Sequence, residues 1–242
     1  KGKCLNMGTS DKTTLGDRMK AYEEASRSIF SNRIPVIIRV DGKGFHNYTR
    51  GLAPFDPNLI NAMNKTAIAL CEHIQGAQIA YVQSDEISIL VHGYKTLESQ
   101  PWFGNQQQKM VSIPASLAAV TMTVESPNVF GGKIKSALFD SRAFLVPEND
   151  VVNYFLWRQQ DWLRNSKQML ARSLFSHKEL HKKNSKELVE MCEKKGIKWD
   201  GLPISHQRGR CIVKGENGWS VDNDIPVFST DRNYIESHLK IA

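Results

Sequence analysis

The 242-residue chain reads as an α+β protein built on a ferredoxin-like βαββαβ unit, an antiparallel sheet with helices on one face. Three observations predict it. Apolar runs alternate with long helical patterns in the order strand, helix, strand, strand, helix, strand. Two of the runs are separated only by Ser84-Asp85-Glu86, which makes them a hairpin. The remaining strands are joined by segments long enough for crossover helices.

Each element follows in turn. "GDRMKAYEEASRSIF" is an opening helix, with Met19, Tyr22, Ala25, Ile29 and Phe30 at helical spacing. "PVIIRV" is a buried strand by its β-branched content. After a glycine-rich turn, Asp56 is an N-cap and Pro57 the first helical residue of a helix. Leu59, Met63, Ala67, Leu70 and Ile74 lay one apolar stripe of that helix on the sheet. "IAYVQ" and "ISILV" form the hairpin, with Asp85 and Glu86 at its tip. A second helix lies within "NQQQKMVSIPASLAAVTMTV", facing inward through Met110, Ile113, Leu117, Val120 and Val124, and Pro114 kinks it or marks its start. "ALFDSRAFLVP" is a fourth strand and "NDVVNYFLWRQQDWLRNSKQMLARSLF" a long helix, in which Tyr154, Phe155, Trp157 and Trp162 read as core. The whole, 1–242, is expected to be one catalytic domain: a core over about 15–172 and a helical, basic, loop-rich C-terminal extension over about 173–242.

No apolar run reaches eighteen residues, so no membrane span is expected. The polar opening "KGKCLNMGTS" lacks a signal-peptide core, which points to the cytoplasm. Cys4, Cys71, Cys192 and Cys211 are scattered without a CxxC pair and read as packing residues. His177 and His181 do not make the zincin order and read as surface histidines. A net charge of +7 asks for an anionic partner. The basic residues concentrate from Arg158 through Arg164, Lys182 and Lys183 to Arg208 and Arg210, although interleaved glutamates also fit a solvated helix face.

The chemistry begins at "RVDGKGFH". In the predicted topology the first strand lies beside the hairpin, so Asp41 and Asp85 become neighbours. Asp-Gly alone is ordinary turn chemistry, and an acidic hairpin tip can be merely solubilising. Together, paired carboxylates beside a glycine turn suit two magnesium ions, which take hard oxygen ligands and substrate phosphate. Gly42 and Gly44 let backbone amides approach triphosphate oxygens, and Lys43 and His46 add charge or hydrogen bonds. "GGKIKSA" lacks the Walker spacing, so a P-loop enzyme is disfavoured.

"LGDRMKAYE", "IRVDGKGFHNYTR", "AYVQSDEISIL", "FDSRAF" and "WRQQD", in this order over about residues 15–170, resemble the tRNA-histidine guanylyltransferase family. The chain is most similar to that family's shorter bacterial and archaeal members, the guanylyltransferase-like 3′–5′ RNA polymerases. The resemblance implies a palm-type core, ATP and GTP or other nucleoside triphosphates as substrates, tRNA as partner, two Mg2+ ions and a homotetramer built as a dimer of dimers. It implies Asp41, Gly42 (through its carbonyl) and Asp85 as metal ligands, with Glu86 following the second carboxylate. Asp41, Gly42, Lys43, Gly44, Phe45, His46, Ser84, Asp85 and Asn165 would form the nucleotide site. Lys109 falls where the family has a lysine linked to 5′ activation, and Arg142 and Arg158 are placed as RNA or phosphate contacts. The run after Asp161 reads Trp162-Leu163-Arg164-Asn165 where the eukaryotic enzymes have His-Ile-Asn-Asn. That departure favours template-directed repair of 5′-truncated tRNAs over dedicated guanylation of tRNA-His. A nucleotide cyclase and a non-catalytic RNA-binding module are the other readings of the same residues.

Overall fold

The computed structural model describes residues 13–94 and 98–239; the polar N-terminal stretch with Cys4 lies outside them. The β-branched run becomes β1 (Val36–Gly42), and the two hairpin runs become β2 (Ala77–Gln83) and β3 (Glu86–Val91). Between them α2 (Phe45–Tyr48) makes a short turn and α3 (Pro57–His73) a long helix, capped by the Asp56 carboxylate on the Asn58 and Leu59 amides. A helix α4 (Gln107–Val129) leads to β4 (Phe139–Leu145), and α5 (Glu148–Leu174) follows. This is the expected βαββαβ order. In the sheet β1 lies between β3 and β4, antiparallel to both.

The C-terminal part goes beyond the expected helices and loops. After α6 (His177–Leu180), α7 (Ser185–Lys194) and α8 (Ile204–Arg208), the chain adds β5 (Arg210–Gly215) and β6 (Gly218–Asp222) to the edge of β2. The sheet is thereby six-stranded, in the order β4-β1-β3-β2-β5-β6. A last turn, α9 (Asn233–Glu236), closes the described chain.

Helices cover both faces of the sheet rather than one. Strand alternation sends Ile38, Val40, Val82, Ile87 and Ile89 toward α3 and α4. The alternate residues Ile37, Ile79, Tyr81 and Leu90 meet Val151, Val152 and Phe155 of α5 and Phe228 and Ile235 of the C-terminal segment. Gln159 of α5 ties that segment down: its Oε1 accepts from the Phe228 amide at 2.8 Å and its Nε2 donates to the Pro226 carbonyl at 2.9 Å.

Two helix faces differ from expectation. The buried side of α4 is Met110, Pro114, Ala118, Met122 and Ser126, while Val120 and Val124 are 61% and 69% exposed. Pro114, Ala118 and Ser126, placed between the inward methionines, let α3 and β4 pack close to the helix. Pro114 sits inside an uninterrupted helix. The opening helix α1 (Leu15–Ala25), capped by Thr14, is shorter than the sequence suggests: it ends before Ile29, which instead bridges to Gln106, and it buries none of its residues. Cys71, Cys192 and Cys211 are buried free thiols, as packing residues should be. Among the described residues no helix is long and apolar enough to cross a membrane.

Candidate active site

β1 and the hairpin converge as the topology requires. Asp41 stands opposite Glu86 in the β1–β3 register, and the Gly42 amide donates to the Asp85 carbonyl at 3.1 Å. Gly42 has no room for a side chain: a Cβ there would lie 2.2 Å from the Phe45 ring. Gly44 has φ +68°, a left-handed turn that starts α2 and puts His46 on the rim. The Lys43 amide donates to Leu138 at 2.8 Å, fixing the loop to the strand that leads into β4. Ser84 at the hairpin tip also has positive φ, 46°.

Both carboxyls titrate above the usual range. Burial is the largest cause for Asp41, with Glu86 and Asp140 adding repulsion. Burial pushes Asp85 up to about 6, and the Asp41 charge acts in the same direction. Two destabilised carboxylates with the backbone oxygen of Gly42 nearby are a donor set that a hard divalent cation fits. Among the described residues no three or more His, Cys, Asp or Glu side chains gather into a cation site, so water and substrate phosphate would complete any coordination.

Glu86 is differently employed. Its Oε1 and Oε2 each accept from Arg158, from Nε and Nη2, at 2.7 Å. Gln83 Nε2 and Ser88 Oγ donate to the same carboxylate at 3.1 and 3.3 Å, and Arg39 Nε stands 4.0 Å away. Glu86 thus positions the hairpin against α5. Arg158, expected on RNA, is buried in this pair, and its Nη2 continues to Asp161 at 3.2 Å. Asp161 in turn accepts from Arg164 Nη2 at 2.8 Å and Asn165 Nδ2 at 3.2 Å.

Beside the pair opens a cleft of about 840 Å³, lined by Asp41, Phe45, His46, Ser84, Asp85, Asn165 and residues of α3, α5 and α8. Its volume is that of a nucleotide site. Arg50 and Arg172 bring positive charge, and Phe55 lies flat on His206 with ring centroids 4.8 Å apart. Most of the residues expected at a nucleotide are therefore together. Lys109 is not with them. It is exposed on the first turn of α4, 5.5 Å over the Phe103 ring. Its neighbour Met110 lines a small cavity with Val36, so it belongs to the opposite end of β1, about 17 Å of strand from Asp41. Arg142 is exposed on β4 against Asp140, Lys182 and Lys183 are exposed after α6, and Arg208 is part-buried on the Ile225 carbonyl. Arg210 is only 2% exposed, so it is no surface clamp for RNA. Reading the sequence missed Arg39, two residues before Asp41 on the same strand face, and His206, whose loop carries no periodic signal.

An antiparallel βαββαβ sheet with two carboxylates on adjacent strand ends, opening on a nucleotide-sized cleft, defines the palm class of nucleotidyltransferases. Within that class the chain belongs to the tRNA-His guanylyltransferase family: residues 16–147 match the family described as "Thg1: tRNAHis guanylyltransferase". A solved bacterial tRNA(His) guanylyltransferase-like protein in complex with ATP superposes with a TM-score of 0.89 at 44% identity, covering 93% of this chain and 99% of that one. A bacterial guanylyltransferase-like protein in complex with GTP gives 0.80 at 39% identity, with 93% and 99% covered. The curated tRNA(His) guanylyltransferase of Schizosaccharomyces pombe is 32% identical over 59% of this chain and 54% of its own length. An uncharacterized protein, R259, of Acanthamoeba polyphaga mimivirus is 25% identical over 93% of this chain and 88% of its own.

Proposed function

We propose that this nucleotidyltransferase extends the 5′ end of tRNA in the 3′–5′ direction under template control, repairing truncated tRNAs. The observation that carries the reading is the convergence of Asp41 and Asp85 at the mouth of a cleft with basic residues on its rim. The relatives solved with ATP and GTP support nucleoside triphosphates as substrates. A 5′-monophosphorylated RNA end is first joined to a nucleotide such as ATP, with release of pyrophosphate. The 3′-hydroxyl of the incoming nucleotide then attacks that phosphate and the nucleoside monophosphate leaves. Asp41, Asp85 and the Gly42 carbonyl would hold two Mg2+ ions, which would supply acidification of the hydroxyl and offset charge building on the phosphate. His46, Arg50 and Arg172 hold phosphates; Asn165, oriented by Asp161, faces the nucleotide. Exposed Arg142, Arg164, Lys182 and Lys183 would meet the tRNA backbone, giving salt-sensitive binding.

Guanylation of tRNA-His is the second reading, favoured by the matching family. One assay separates them. A tRNA lacking its first nucleotide and carrying a 5′-phosphate is offered ATP and each labelled nucleotide in turn. Repair predicts incorporation only of the nucleotide that pairs with the acceptor strand. Guanosine added to full-length tRNA-His regardless of pairing would select the second reading, and no incorporation from either substrate would reject both.

We read the chain as one catalytic unit of a cytoplasmic enzyme, assembled as a tetramer. Leu15, Met19 and Tyr22 form an exposed apolar stripe on α1, which buries none of its residues against the other described residues and so supports a partner copy. Light scattering should give four chains per particle for the wild type and fewer for Met19→Glu; a wild-type monomer would contradict this.

A further inference from the structure

Arg210 and Arg158 are both buried, at 2% and 7% exposure, but their charges are treated oppositely. Arg158 has both oxygens of Glu86. Arg210 has one hydrogen bond, from Nε to Asn64 Oδ1 at 2.7 Å, and its terminal nitrogens make none with the described residues. No carboxylate among them pairs with it. Burial pulls its guanidinium down to about 10, so it is still cationic at neutral pH. An unpaired buried cation costs several kcal/mol and is retained only where something completes it.

That something can reach it from the cleft, which Arg210 lines together with Gln83, Trp162 and His206. Trp162 Nε1, a donor lining the same cleft, is enclosed and has no hydrogen-bond partner among the described residues. Burial, with the Arg210 charge second, lowers His206, which is therefore neutral at pH 7 and offers an N–H without adding charge. In register Arg210 stands beside Val82, which leads through Ile87 to Val40. Three strand spacings put its backbone about 14 Å from that of the metal-ligand strand. Side-chain alternation also directs Arg210 to the α3 face and Asp41 to the α5 face.

We propose that Arg210 is the core of a phosphate-binding subsite at the inner end of the cleft, apart from the Asp41–Asp85 pair. Its ligand is a phosphate of the second substrate, carried by a nucleotide or by the RNA 5′ end. Only the identity of that carrier rests on the nucleotidyl-transfer reading.

The test is binding in EDTA, so that it does not depend on the carboxylate pair. Pyrophosphate, ATP, and one short RNA hairpin in 5′-phosphorylated and 5′-hydroxyl forms are titrated against wild type, Arg210→Met and Arg210→Lys. A charge-assisted contact predicts that Arg210→Met weakens phosphate-bearing ligands by about 10–100-fold, with Arg210→Lys intermediate. Loss confined to ATP and pyrophosphate assigns the nucleotide; loss confined to the 5′-phosphorylated hairpin assigns the RNA. Ligand-free Arg210→Met should melt no lower than wild type, because it loses an unpaired charge. Should that variant not fold, Arg210→Lys alone decides. Wild-type affinity of the variants for every phosphate ligand overturns the proposal and leaves nucleotide addition at Asp41 and Asp85 unaffected.

Discussion

Asp85→Asn is expected to abolish nucleotide addition and to make the metal-free protein more stable at neutral pH. The two effects have one origin. Asp85 is a carboxylate held where burial and then the neighbouring Asp41 charge disfavour its ionised form, with its pKa pushed up to about 6 from 3.8. A carboxyl with a folded pKa above its unfolded one binds extra protons in the folded state between those two values. Stability is therefore highest below about pH 4 for this group and falls as pH rises to 6. At pH 7 the ionised carboxylate costs about 2–3 kcal/mol, which the amide does not incur. Denaturation in EDTA at pH 5 and 7.5 should show the wild type losing stability across this interval and the variant losing much less. Incorporation of labelled nucleotide into tRNA should fall by about 100-fold or more. A variant that is less stable than wild type at pH 7.5, or that adds nucleotide normally, contradicts the role given to Asp85.

Arg158→Ala is expected to cost about 3–5 kcal/mol, because it leaves Glu86 as a buried carboxylate without its guanidinium. Gln83 and Ser88 still donate to Glu86 but are uncharged, and Arg39, whose Nε stands 4.0 Å away without a hydrogen bond, is too distant to replace the paired guanidinium. The loss should be mostly recovered in Glu86→Gln/Arg158→Met, where neither charge remains and the volume is kept. Urea denaturation of Glu86→Gln, Arg158→Met and the pair closes a double-mutant cycle. A loss below about 1 kcal/mol for Arg158→Ala would show that the pair is not what fixes the hairpin on α5.

The core of the fold was legible because its signals are local and periodic. β-branched alternation marks β1 and β3, Asp56-Pro57 marks the start of α3, and the short Ser84-Asp85-Glu86 spacer marks the hairpin. Once those strands are adjacent, the meeting of Asp41 and Asp85 follows from topology. What was not legible depends on contacts distant in sequence. β5 and β6 are short strands whose apolar residues gain meaning only beside β2. The inward face of α4 is set by how closely α3 and β4 approach, which favours Pro114, Ala118 and Ser126 over the larger Val120 and Val124. Arg158 looked like an RNA contact because nothing local announces a partner 72 residues away. The family likeness expects Lys109 to act in 5′ activation, and the structure places its helix start at the Val36 end of β1, away from Asp41.

Catalysis at this site requires divalent cations to meet both Asp41 and Asp85 in the presence of a nucleotide. Crystals soaked with Mn2+ and a non-hydrolysable nucleoside triphosphate should give anomalous peaks coordinated by both carboxylates and by phosphate oxygens. A nucleotide seated in the cleft with manganese bound away from either aspartate would contradict it.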